Sequence, residues 1–248
     1  MIGLDWTKII EQYSASFAAA MVEPGALGRA VPACPDWTGL ELVLHLGEVQ
    51  LFWAEAVRTG GGRPEPPSSS TTPQPGEDPL DWYQRCRSEL VTALCETDPM
   101  QPCWAWWASG RTVAEVARRQ AHEAAVHRWD AQSVIGQAEP LGPVLGADGV
   151  DEFLDVMVAS QTVDWTGPGG VLVLAATDVD RVWTVELGGA RPAPRPARVG
   201  GSVEATLRAT ASDLDLLLWR RPGLEAPGVR VDGAPSLATA FLEWTGLD

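Results

Sequence analysis

Near residue 140 the apolar residues of this chain change their spacing, from a helical period of about 3.6 to the alternation of strands, about 2. One layer cannot satisfy both periods, so the sequence divides into a helical first half and a mixed second half. In the first half, Leu4, Ile9, Tyr13, Phe17 and Met21 recur at helical spacing, and Glu23-Pro24-Gly25 supplies a stop. Asp36 reads as an N-cap before Trp37, and Leu40, Val43, Leu44, Leu51 and Phe52 form the stripe of a second helix that runs to Arg58 and ends at Gly60-Gly61-Gly62. A third helix is expected over residues 80–97. Thr112 caps a fourth, in which Val113, Val116, Ala117, Gln120, Glu123, Ala124, His127 and Ala131 share one broad face. Four amphipathic helices predict an up-down bundle. The segment GGGRPEPPSSSTTPQPGEDP at 60–79 cannot build a packed core, and it predicts a long exposed loop with room for a crossover between the second and third helices.

After Pro140 a helix is expected over 148–162, followed by strands at 171–176, 182–187, 195–199 and 203–209 separated by Gly and Asp turns. A helix at 211–219, a short strand at 229–231 and a closing helix at 236–244 complete a small α+β unit. The expected architecture is therefore a two-domain α+β protein, with a four-helix bundle over residues 1–141 and a sheet domain over 142–248.

Composition narrows the partners. The 248 residues are 45% apolar, enough to bury a real core, and 18 basic against 33 acidic residues leave a formal charge of -15. That field repels a phosphate backbone and an anionic leaflet, so nucleic acid and membrane surfaces are excluded as bulk partners. The first 25 residues are broken by Asp5, Lys8, Glu11 and Gln12, which is not the pattern of a signal peptide, and no apolar run approaches the ~20 residues of a membrane span. A cytoplasmic monomer is the expectation. Cys34, Cys86, Cys95 and Cys103 form neither a CxxC pair nor a dense disulfide pattern, and they read as reduced thiols buried like small hydrophobes.

Only three histidines are present: His45, His122 and His127. HEAAVH at 122–127 resembles a metalloprotease HExxH, but the second histidine comes one residue late. At about 100° per residue, His122 and His127 lie about 140° apart around the helix and cannot share one ion. Glu123 and His127, at i and i+4, stack on one face as two ligands from one helix must. His45, in mid-helix beside the apolar stripe, is the remaining histidine that could complete a set of three protein ligands with an open position, the arrangement of a catalytic rather than a structural site. Asp130, on a similar face, is placed to hold an imidazole N–H. A buried histidine satisfied by a backbone carbonyl is the plainer alternative, and two histidines with one carboxylate also suit non-haem iron. The cluster at Trp104, Trp106 and Trp107 reads as a core plug or a pocket wall. Arg118-Arg119 and Arg220-Arg221 read as solvated cation pairs or, less simply, as anion contacts.

VPACPDWT at 31–38 with LVLHL at 42–46, then RRQAHEAAVHRWDA at 118–131, resemble the mycothiol-dependent maleylpyruvate isomerase family, whose N-terminal half is a DinB-like four-helix bundle. The segment from Ser212-Asp213-Leu214 through Leu218-Trp219-Arg220-Arg221-Pro222 to Val231-Asp232-Gly233-Ala234 is similar to that family's C-terminal domain, which resembles sterol carrier folds. The resemblance implies zinc held by His45, Glu123 and His127, with mycothiol as the thiol cosubstrate. It also implies an active arginine in the C-terminal domain, which falls on Arg221, although Arg220 occupies the neighbouring place where the family has a small residue. Zinc with an open position lowers a thiol pKa, and the thiolate adds to an electron-poor double bond. Elimination after rotation is isomerisation; without elimination the outcome is S-transfer. A metal-water hydrolase and a non-catalytic ligand-binding module that keeps the bundle stand as alternatives.

Overall fold

The computed structural model describes residues 3–64, 71–107, 110–195 and 203–245. They form two compact units, residues 1–139 and 140–248. Each has its own core.

Helix α1 (Trp6–Val22) opens the first unit, with the Asp5 carboxylate accepting from the Lys8 N–H at 3.2 Å. A short ribbon follows, in which β1 (Ala30–Val31) pairs antiparallel with β2 (Cys34–Thr38). Helix α2 (Gly39–Thr59) then begins two residues later than an N-cap at Asp36 predicts. The reason is local competition: Pro35, Asp36 and Trp37 are held extended in β2, while Glu41 reaches back to accept from the Thr38 N–H at 2.7 Å, so Thr38 is the N-cap. Gly39 is required at the first position, because a Cβ there would stand 2.4 Å from the Ala26 carbonyl oxygen.

Helices α3 (Pro79–Glu96) and α4 (Val113–Val134) are capped by Asp78 and Thr112. Proline at the first turn of α3 costs no backbone bond. Of the long loop before α3, residues 65–70 lie outside the described residues. Packing corrects the expected topology. Helix α1 lies against α3 and α4, and α2 lies against α3 and α4, so the ring runs α1, α4, α2, α3. The long loop therefore joins neighbours, and the diagonal steps are made by residues 23–38 and 97–112. Phe17, Met21, Leu42, Leu46, Trp82 and Tyr83 fill the bundle. Close approach of α2 and α3 needs Gly47, where a Cβ would meet the Trp82 ring at 2.2 Å.

In the second unit α5 (Pro143–Glu152) starts at a proline five residues before the expected Asp148 and passes directly into a π-helical turn, Phe153–Val158. Strands β3 (Gly170–Ala176), β4 (Val182–Leu187), β5 (Ala193–Arg195), β6 (Ala205–Ala209) and β7 (Arg230–Gly233) form one sheet in the order β5-β4-β3-β6-β7. The β3–β6 pair is parallel and the others antiparallel. The strand expected at 195–199 ends its described part at Arg195, and residues 196–199 lie outside the described residues. Helices α6 (Ala211–Leu218) and α7 (Pro235–Trp244) supply Leu214, Leu217, Leu237 and Phe241 to a core with Leu172, Leu174, Val185 and Leu207. The molecule is thus a two-domain α+β protein with a helical N-terminal domain. No helix among the described residues is long and apolar enough to cross a membrane.

Candidate metal centre

Helices α2 and α4 bring His45, Glu123 and His127 together, with one potential ligand atom from each lying within 4.8 Å of the others. Glu123 Oε1 stands 3.2 Å from His127 Nε2 and 3.4 Å from His45 Nε2. For metal–ligand bonds of about 2.05 Å, neighbouring donors of a tetrahedron stand about 3.3 Å apart. The spacing, and the two imidazole nitrogens with one carboxylate oxygen, therefore fit a zinc-like ion. The site opens on one side: the His45 side chain is 34% exposed, Glu123 13% and His127 8%.

Each donor has a supporting partner. Asp130 is wholly buried and accepts from His127 Nδ1 at 2.9 Å, which leaves Nε2 as the nitrogen that faces Glu123. Arg119, one turn before Glu123, holds its other oxygen, Oε2. The Trp37 ring lies against His45, with ring centroids 4.7 Å apart, and 6.5 Å from His127. Burial pushes the Glu123 carboxyl up, but the Arg119 charge and the hydrogen bonds from His127 and His45 outweigh it and hold the group well below the usual carboxylate range. For His127, burial pulls the pKa down, and Asp130 and Glu123 together raise it above the ordinary histidine value.

Other candidates fall elsewhere. His122 is fully buried and packs on the Trp6 ring at 5.8 Å, turned away from the cluster as its helical phase requires. Trp104 and Trp107 join Phe52 and Trp53 in an aromatic group, with Trp107 buried and Trp106 exposed on its edge. None of the four cysteines is in a disulfide; Cys86 and Cys103 are buried, but Cys34 is half-buried and Cys95 exposed, which departs from the uniform burial expected. In the second unit Arg220 sits in the left-handed region at φ 61 and donates to the Leu242 carbonyl and, at 3.1 Å, to Thr245 Oγ1. Arg221 donates to the Trp219 carbonyl at 2.7 Å.

Two members of the cluster escaped the sequence. Arg119 reads as half of a solvated pair, although its i, i+4 spacing to Glu123 signals the contact. No spacing rule points to Trp37, which reaches His45 only because β2 lies alongside α2.

Compared with known proteins, residues 9–132 match the mycothiol maleylpyruvate isomerase N-terminal domain and residues 145–240 match the C-terminal domain of the same family, MDMPI. The chain belongs to the mycothiol maleylpyruvate isomerase family. Among solved structures it is similar to one described as the crystal structure of the mycothiol-dependent maleylpyruvate isomerase, with a TM-score of 0.64 at 14% identity over 92% of each chain. At that identity the likeness establishes the shared fold of the family. A structure described as UbiJ-SCP2 ubiquinone synthesis protein covers 41% of this chain and 94% of its own at 17% identity, but its TM-score of 0.27 carries no argument. A search of the curated proteins finds no match.

Proposed function

We propose that this member of the family is a mycothiol-using enzyme, a cytoplasmic monomer in which His45, Glu123 and His127 hold a divalent metal, zinc. It acts on maleylpyruvate-like substrates with an electron-poor double bond. The observation that carries this reading is the placing of Glu123 Oε1 at 3.2 and 3.4 Å from two imidazole nitrogens, a donor set with an open side. Zinc, when bound, supplies the positive charge that lowers the thiol pKa, so that thiolate is available at neutral pH.

The chain's own residues hold and orient. Asp130 keeps the His127 proton on Nδ1, Arg119 fixes the Glu123 carboxylate, and the Trp37 ring covers one side of His45. The cosubstrate sulfur adds to one alkene carbon while the π pair moves onto the conjugated carbonyl as an enolate. Rotation about the new single bond and departure of the sulfur restore the double bond in the trans form. Protonation of the enolate instead retains the sulfur, which is S-transfer. We assign Arg221 to the developing enolate or a substrate carboxylate. Arg220 is committed to the end of α7 through Leu242 and Thr245.

Elemental analysis of the purified protein, with turnover measured in the presence of mycothiol, tests this. About one zinc per chain is expected, and Glu123→Gln and His127→Ala each lose both metal and turnover. Full activity in metal-free protein overturns the reading. Turnover without any thiol points instead to metal-water hydrolysis, and unchanged biological function in His45→Ala points to a binding module.

A further inference from the structure

Two charged side chains of opposite sign flank the donor set, and they act on different ligands. Asp130 stands behind His127 and Arg119 stands behind Glu123. Arg119 is nearly buried, its side chain 10% exposed, and it lies one helical turn from Glu123 on the same face of α4. Its Nη2 faces Oε2, while Oε1 alone faces the two imidazole nitrogens.

We propose that Arg119 is a positioning residue that restricts Glu123 to one donor oxygen and weakens it as a donor, which keeps a coordination position open and makes a bound divalent ion acidify a thiol more strongly. This rests on the metal-and-thiol reading of the site. A carboxylate can bind an ion through one oxygen or both, and the choice depends on what else the second oxygen can reach. A guanidinium held by its own helix in a water-poor site offers a strong charge-assisted partner that a divalent ion must displace to gain the second oxygen. The charge count points the same way. With a divalent ion present, Glu123, Asp130 and Arg119 leave the centre with one net positive charge; without Arg119 it is neutral, and the field that favours thiolate over thiol is lost.

Cobalt(II) as the probe metal and N-acetylcysteine as the probe thiol test this on the full chain. Visible absorption reports coordination number, since four-coordinate cobalt absorbs more strongly than five-coordinate. The sulfur-to-cobalt charge-transfer band, followed against pH, reports the thiol pKa. In Arg119→Gln the visible band is expected to weaken while cobalt affinity is kept, and the thiol pKa to rise by at least about one unit, as removal of a charge ~6 Å away at intermediate dielectric implies. Arg119→Lys, which keeps the cation, is expected to stay within about half a unit of the unaltered protein. An unchanged spectrum and thiol pKa in Arg119→Gln overturns the proposal, as does a full-sized shift in Arg119→Lys. Loss of cobalt from both variants while they remain folded also overturns it, since Arg119 is then needed merely to build the site. If the unaltered protein binds no cobalt, or binds it and shows no charge-transfer band with the thiol, the underlying reading of the site fails instead.

Discussion

The contact of Asp130 with His127 decides which ring nitrogen can meet an ion. Fully buried and 2.9 Å from Nδ1, the Asp130 carboxylate accepts a hydrogen bond from the ring and leaves Nε2 as the end that faces the donor set. Asp130→Ala is expected to weaken metal binding by about 10- to 100-fold, as loss of such outer partners does. Asp130→Asn, whose amide oxygen can still accept, is expected to lose less; competition with a chromophoric chelator measures both. At this scale the sequence was informative where geometry within one helix decides. The i, i+4 stacking of Glu123 and His127, and the opposite phase of His122, follow from helical rotation alone. The burial of Arg119 does not, because the same spacing describes a solvated pair equally well, and only the packing of α4 against α1 and α2 distinguishes them.

Among the elements, helix existence was legible from apolar spacing, while their starts and connections were less so. The Thr38–Glu41 capping box lay in the sequence beside Asp36, a stronger local signal than the lone aspartate, but β2 decides between them through its pairing with β1. The ring of helices was illegible because amphipathic faces do not say which neighbour covers them. Burial of two thiols gives the bundle a pH dependence. Burial pushes Cys86 on α3 up to about 12 and Cys103, in the segment before α4, up to about 11. Each thiol stays protonated in the folded chain while the unfolded chain releases its proton from about pH 9. Their contribution is therefore full below that pH and is lost as pH rises through 9 toward 11 or 12, with a slope of up to about 1.4 kcal/mol per pH unit per thiol. Urea midpoints between pH 7 and 10.5 are expected to fall above pH 9, and a Cys86→Ala, Cys103→Ala variant to show a shallower fall over the same range.

For the whole molecule, the division near residue 140 has a thermodynamic counterpart. His45, Glu123, His127, Asp130 and Arg119 all lie within residues 1–139, and the second unit keeps a separate core. On the proposed zinc reading, zinc at 100 times its dissociation constant is expected to stabilise the helical unit by about 2.7 kcal/mol and a chelator to remove that increment, as calorimetry with and without the ion measures. Because His45 and Glu123 sit on α2 and α4, with all of α3 and the long loop between them in the chain, an ion shared by them closes a loop as a cross-link does. On the proposed zinc reading, such a cross-link dissolves when free zinc falls, and the lifetime of the folded chain in the cell becomes a readout of metal supply, with proteases removing the molecules that cannot be loaded.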